Sequence, residues 1–266
     1  MKISGKYVIS NGTVKVGFVD GLGRERNAWE AIFPIVQQVT DTRWKPVGTG
    51  FFISNNGLFA TAKHVLLDRT GNLLPDLYGL HLSANVRRGS LREIIKPEVH
   101  PTVDVAIGFL FDKPYVNDGV QTLTPVLPLT TAAPHEGDRI VSFAYPNSTG
   151  EFRDNGSEMV LNGDAMEGYF EEAHPNGRDR VMLPGACYRT SMPLASGASG
   201  GPVVFGNGAV FGINSTGFDG SEVSYISPSS ALLELSVRNV RLADGSTYNL
   251  LKLTELARIG LLRVET

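Results

Sequence analysis

Turn signals recur about every ten residues along much of this chain, and the apolar runs between them are only strand-length. Asn155-Gly156, Asn162-Gly163, Asn176-Gly177 and Asn207-Gly208 are all hairpin signals. Between turns, Val47–Ile53, Gly57–Ala60, Gly79–Val86, Arg92–Lys96 and Val103–Leu110 read as strands. Nothing between them has the helical period that a βαβ unit needs, so the spacing predicts a sandwich or barrel. A chain of 266 residues can bury one large core or two small ones. Its 30 glycines and 15 prolines suit many short strands.

The organisation follows from the same signals. Residues 1–26 are expected to form an added hairpin, with Tyr7-Val8-Ile9 turning at Asn11-Gly12 into Val14–Phe18. Ala28 to Val39 is apolar with Pro34 inside, either the first barrel strand or a short helix ended by that proline. Residues 27–134 form a first β unit, ending in a linker at Val116–Pro134, and residues 135–235 a second, with strands from Asp138 to Ile226. Ser227 is placed as an N-cap, with Pro228 at the first helical position. Residues 236–266 hold a hairpin at Asp244-Gly245 and a helix, from the stripe Leu250, Leu251, Leu253, Leu256, Ala257 and Ile259.

Composition removes several function classes. A net charge of −3 leaves no basic footprint for nucleic acid. No segment approaches 18 apolar residues, so no membrane span is expected. Met1–Tyr7 opens without the apolar run of a signal peptide. The one cysteine, Cys187, cannot make an internal disulfide, and lies in a strand as a buried thiol; together these point to a cytoplasmic protein. The five histidines never fall at metal-ligand spacing, and Gly21-x-Gly23 and Gly48-x-Gly50 do not complete a phosphate loop. No metal or cofactor is expected, and the sequence sets no oligomeric state.

Three segments carry chemistry. Gly197-Ala198-Ser199-Gly200-Gly201-Pro202 sets a hydroxyl among glycines. That turn can present Ser199 Oγ beside the amides of Gly197 and Ser199, a nucleophile next to an oxyanion hole. By itself it fits an ordinary Gly/Ser-rich β-turn equally well. Thr61-Ala62-Lys63-His64 follows an apolar strand, and Val103-Asp104-Val105-Ala106-Ile107 sets a carboxylate in a β-branched run, where it wants a partner. His100 shares a strand face with Asp104 but would sit about 13 Å away, too far to bond it, so it is expected at the surface. Asp68, one helical turn from His64, competes weakly with Asp104 and looks too exposed.

The order His64, Asp104, Ser199, with Gly-Thr-Gly-Phe-Phe-Ile at 48–53, Thr-Ala-Lys-His and Gly-Ala-Ser-Gly-Gly-Pro, resembles the trypsin-like (chymotrypsin-fold) serine proteases. The likeness runs over about residues 30 to 235. It is closer to the disulfide-free bacterial branch with the HtrA-like proteases, to which Gly212-Ile213-Asn214-Ser215-Thr216 and Gly137-Asp138-Arg139-Ile140 are similar. Too few residues follow 235 for the PDZ domain that HtrA proteins append. Val65 stands where disulfide-bonded members have Cys, and Ala198 where zymogen-activated members have Asp. The second departure argues against activation by N-terminal cleavage.

The resemblance implies an all-β fold of two six-stranded antiparallel β-barrels with short C-terminal helices. It implies a serine endopeptidase cleaving protein or peptide substrates through an acyl-enzyme. His64 would be the base, Asp104 its orienting partner, Ser199 the nucleophile, and Ser215 a support for Asp104. Gly197 and Ser199 would supply the oxyanion hole. Alignment to the family motif places one wall of the substrate pocket at Met192–Ser196, including Pro193 and Leu194. The facing wall is Ser215, Thr216 and Gly217, with Val223 near the base. With no Asp or Glu between Thr190 and Ser199, a shallow apolar pocket is expected. Asn214 either favours Gln or Glu in that pocket or has a structural role. Two alternatives stay open: an inactive protease-fold binding module, and a dedicated processing protease.

Overall fold

The computed structural model describes residues 7–11, 17–19, 25–41, 43–82, 89–111, 116–117, 120–121, 124–150, 159–217, 223–242 and 245–265. Six strands close a first barrel: β1 Ile32–Thr40, β2 Arg43–Phe52, β3 Leu58–Thr61, β4 Leu77–Leu82, β5 Gly89–Val99 and β6 Ala106–Leu110. Their order is β1-β2-β3-β6-β5-β4, with β4 back on β1, and all pairs are antiparallel. Alternating side chains fill the barrel. Phe33 meets Phe52 and Phe59 with ring centroids 4.8 and 5.4 Å apart, all three fully buried.

Six more strands close a second barrel: β7 Arg139–Ala144, β8 Met159–His174, β9 Cys187–Thr190, β10 Pro202–Val204, β11 Val210–Gly217 and β12 Ser224–Pro228. The order is β7-β8-β9-β12-β11-β10, closed by β10 on β7. Numbered within each barrel, the two orders are identical. Ile140, Phe170, Met192, Val203, Phe211 and Ile226 form the second core. The barrels share apolar contacts: Phe143, Tyr145, Val210 and Ile213 belong to the same buried cluster as Phe33 and Phe52. Trp29, on the single turn α1 (Ala28–Ala31), packs edge-on against Phe143 and Tyr145.

A second short helix, α2 (Lys63–Leu66), follows β3. A 3₁₀ turn at Ser229–Glu234, a hairpin of β13 (Ser236–Arg241) with β14 (Thr247–Lys252), and α3 (Leu253–Arg258) finish the chain. Among the described residues no helix is long and apolar enough to cross a membrane.

Several expectations need correction. Tyr7–Asn11 pairs in parallel with Met159–Gly163 of β8, and Gly17–Val19 pairs with Glu25–Asn27; the Gly12 turn and Val14–Val16 of the expected hairpin lie outside the described residues. Ala28 to Val39 is both helix and strand, with Pro34 inside β1. Asn162-Gly163 lies within β8, not at a turn. Gly163 packs closely on the Trp29 indole, where a Cβ would sit 3.3 Å from the ring. Ser227 belongs to β12, and Pro228 precedes the 3₁₀ turn. Leu250 and Leu251 extend β14, so the helix starts only at Leu253. Asn155-Gly156 and part of Gly79–Val86 lie outside the described residues.

Candidate active site

The cleft between the barrels holds about 620 Å³. His64 enters it from α2, where the apolar strand β3 ends and Val65 and Leu66 bury the other side of the turn. Asp104 sits in the bend between β5 and β6, not in a strand as expected, so β6 begins only at Ala106. Ser199 lies between β9 and β10, and Ser215 near the end of β11.

His64 Nδ1 is 2.8 Å from Asp104 Oδ2, and the His64 backbone N–H donates to Asp104 Oδ1 at 3.0 Å. Ser215 Oγ donates to Asp104 Oδ2. These bonds fix the carboxylate against both the ring and the backbone of one residue. Burial works against the His64 charge, but the hydrogen bond and the negative charge of Asp104 outweigh it and raise the pKa above 6.5. Burial pushes the Asp104 pKa up, and the His64 and Ser215 contacts overcome it to leave the pKa lowered. Ser199 Oγ donates to the Ser215 carbonyl at 3.1 Å and makes no hydrogen bond to His64 here. Nδ1–H directed at Asp104 leaves the Nε2 lone pair as the proton acceptor.

The turn carrying Ser199 is held at nearly every peptide. Asn147 N–H donates to Ser196 O at 2.7 Å, Ala198 N–H to Ala195 O at 3.0 Å, and Gly201 N–H to Ala198 O at 3.1 Å. Thr49 Oγ1 donates to Gly197 O at 2.9 Å and Thr49 N–H to Ser199 O at 2.8 Å. Asn214 takes Gly200 N–H on its carbonyl at 2.8 Å and donates its own N–H to Gly201 O at 2.9 Å. Among the described residues the amides of Gly197 and Ser199 donate to no protein acceptor. Two unspent N–H donors beside a hydroxyl can stabilise an oxyanion. Gly200 allows the docking: its φ is +86°, and a Cβ there would lie 2.1 Å from Thr49 O.

Of the residues assigned to the pocket, Leu194, Ser215, Thr216 and Gly217 line the cleft. Met192, Pro193, Asn214 and Val223 do not. Met192 is fully buried in the second core, because Gly168 has no side chain and the Met192 backbone fills that place. Pro193 is exposed outside the cleft, and Val223 packs on Leu183, Cys187 and Tyr225. Asn214 is fully buried beneath the turn that carries Ser199, its Nδ2 donating to Ser142 Oγ at 2.7 Å and Ala198 O at 3.1 Å.

His100 is buried, not at the surface. Its Nδ1 accepts from Val103 N–H at 2.9 Å and Thr102 N–H at 3.3 Å, and its Nε2 lies 3.2 Å from Glu234. It therefore builds the bend that carries Asp104. Asp68 lines the cleft but spends one oxygen on Thr70 and Asn72 of its own loop. Cys187 is a buried free thiol whose pKa burial pushes up. Among the described residues no three His, Cys, Asp or Glu side chains converge as a metal site.

One wall escaped the sequence reading. Val181, Met182, Leu183 and Pro184 line the cleft together with Leu194 to Ser196, with Val181 85% and Met182 63% exposed. Asp179 Oδ1 accepts the amides of Val181 and Met182 at 2.9 and 2.6 Å, which draws its pKa to about 2. Arg178 pairs with Asp179 and lies 4.9 Å over the Tyr225 ring. A run of three apolar residues inside a loop rich in Asn, Gly, Asp and Pro was the available signal.

Twin six-stranded barrels with such a cleft between them define the chymotrypsin-fold class of hydrolase. The model of the family described as "Trypsin-like peptidase domain" matches residues 48–213, and the chain belongs to that family. It is accordingly a serine endopeptidase acting on protein or peptide substrates. Among solved structures, it is similar to the Rv3671c protease from M. tuberculosis. The active form gives a TM-score of 0.54 at 18% identity, covering 90% of this chain and 85% of that one. The inactive form gives 0.53 at 20%, covering 88% and 90%. The serine endoprotease from Yersinia pestis gives 0.50 at 20%, covering 76% of this chain and 60% of that one. No curated protein sequence matches the chain at a significant level.

Proposed function

We propose that peptide bonds are hydrolysed through an acyl-enzyme built on His64, Asp104 and Ser199. His64 Nε2 takes the Ser199 Oγ proton as the oxygen attacks the scissile carbonyl carbon. The carbonyl oxygen becomes an oxyanion that accepts from the Gly197 and Ser199 amides. Protonated His64, steadied by Asp104, gives its proton to the leaving amine, and the C–N bond breaks. Water then gives a proton to His64 as its oxygen attacks the acyl carbon, and His64 passes that proton to Ser199 Oγ as the Oγ–C bond breaks, which releases the acid and restores both residues. The observation that carries this reading is that His64, Asp104 and Ser199 line one cleft while, among the described residues, the amides of Gly197 and Ser199 have no protein acceptor. A fluorophosphonate probe tests it. One adduct on Ser199, located by mass spectrometry and absent from Ser199→Ala, is expected; no labelling would leave the inactive binding module standing.

The primary pocket is narrow and apolar in this reading. Leu194 and Ala195 form one side, and Thr216 and Gly217 the other. A Cβ on Gly217 would lie 2.7 Å from Leu194 O, so the walls nearly touch. Neither wall carries a carboxylate to neutralise a bound Lys or Arg. Small or medium aliphatic residues fit best, with about 1–3 kcal/mol per methylene deciding among them. A peptide library varied at the residue before the cut tests this, and strongest cleavage after Arg or Lys would overturn it. The cytoplasm suits a chain whose one cysteine is a buried thiol. Activation without N-terminal cleavage fits Ala198, which can form no ion pair with a new terminus.

A further inference from the structure

Thr49 is fully buried at the seam between the barrels and uses every polar atom it has. Its place is set by strand lengths. β3 pairs only with Phe51 and Phe52, so the edge of β2 is open at Thr49. On the other side stands Pro34, which has no N–H to offer. Thr49 N–H donates to Ser199 O at 2.8 Å, and Thr49 O accepts the Thr61 hydroxyl at 2.7 Å. The side-chain hydroxyl donates to Gly197 O at 2.9 Å and accepts from Tyr145 N–H at 3.1 Å. That hydroxyl therefore joins two segments of the second barrel from the first.

We infer that the Thr49 hydroxyl is the positioning residue of the oxyanion hole, setting the plane of the peptide that follows Gly197. Gly197 sits at φ +89° between two peptides. Asn147 N–H holds the one before it through Ser196 O, and in a trans peptide this turns the Gly197 N–H to the opposite side. Thr49 holds the one after it. A glycine can rotate freely unless both neighbours are fixed, so the Gly197 amide keeps its aim only while both bonds stand. The inference rests on the oxyanion role proposed above for Gly197.

The test compares Thr49→Val, which keeps the shape and removes the hydroxyl, with Thr49→Ser, which does the reverse. Thr49→Val is expected to lose about 10- to 100-fold in kcat with KM within twofold, and to lose affinity for a peptide boronic acid in the same proportion. Thr49→Ser is expected to stay within about threefold of the wild type. The pH midpoint of kcat/KM, which reports His64, should not move in either. Thr49→Ala against Thr49→Ser repeats the comparison without the methyl group. Full kcat in Thr49→Val, or equal losses in Val and Ser, would overturn the inference. So would unfolding of both hydroxyl-free variants, which would mark a folding role. Absence of fluorophosphonate labelling in the wild type would instead sink the underlying reading.

Discussion

Asn214 reaches the carbonyl of Ala198 from inside the second barrel, its Nδ2 donating to Ala198 O at 3.1 Å. The same amide donates to Ser142 Oγ on β7, so one buried side chain ties the residue before the nucleophile to the barrel wall. Removing it takes a donor from Ser142 Oγ and leaves Ala198 O to the Gly201 amide. Asn214→Ala is expected to lose about 1–3 kcal/mol of stability in urea unfolding and to lower kcat. Its cleavage preference should match the wild type, because Asn214 does not line the cleft. A changed profile in the peptide library would return Asn214 to the pocket.

Ser199→Ala and His64→Ala should each lower kcat by about 10⁶-fold, and the double variant should be no worse, because the residues act as one unit. Both should unfold at wild-type denaturant concentrations. Near-normal turnover by Ser199→Ala would reject the mechanism.

The pH profile follows from Asp104. Turnover needs neutral His64, whose pKa the Asp104 hydrogen bond and charge raise above 6.5 despite burial. The acid limb of kcat/KM should therefore have its midpoint above 6.5, with activity falling as pH drops through it. The same shift stabilises the fold below about pH 6.5 and is lost as pH rises through the raised value. Asp104→Asn should move the limb downward and lower kcat by about 10⁴-fold. An acid limb below 6.5 in the wild type would contradict the pairing.

Asp179 gives a separate handle on the cleft wall. Its pKa is drawn to about 2 by the Met182 and Val181 amides, so its contribution is present above the ordinary carboxylate range and fades as pH falls toward about 2. Asp179→Ala should free Val181 and Met182 from their place, raising KM several-fold for peptides extended upstream of the cut. kcat for short substrates should hold. Equal loss of kcat for short and long peptides would refute a substrate-contacting wall.

Much of the architecture was legible because strands such as β3 and β6 are local apolar runs between turn residues. Asn207-Gly208 behaved as a turn, with Gly208 at φ +83° between β10 and β11. Asn162-Gly163 did not: it lies inside β8, where Gly163 packs on the Trp29 indole more than a hundred residues upstream. Met192 failed for a related reason: the vacancy it fills is at Gly168, on another strand. His100 looked like a surface residue because a strand was assumed through Asp104, whereas two backbone amides turn there onto its imidazole. Residues recruited by a distant missing side chain leave no mark in local pattern. His64 and Ser199 did, because their chemistry needs small, turn-forming neighbours.

The shared strand order of the barrels puts His64 and Ser199 at equivalent places in two barrels that are made one after the other. His64 and Ser199 occupy the same connection, third strand to fourth, in their respective barrels. A chain emerging from the ribosome carries His64 and Asp104 while Ser199 is still unmade. That half-built protein holds a proton acceptor with nothing to activate. In the proposed mechanism cleavage waits until the Ser199 turn seats on the open edge at Thr49, so synthesis of the later barrel would set the onset of proteolysis.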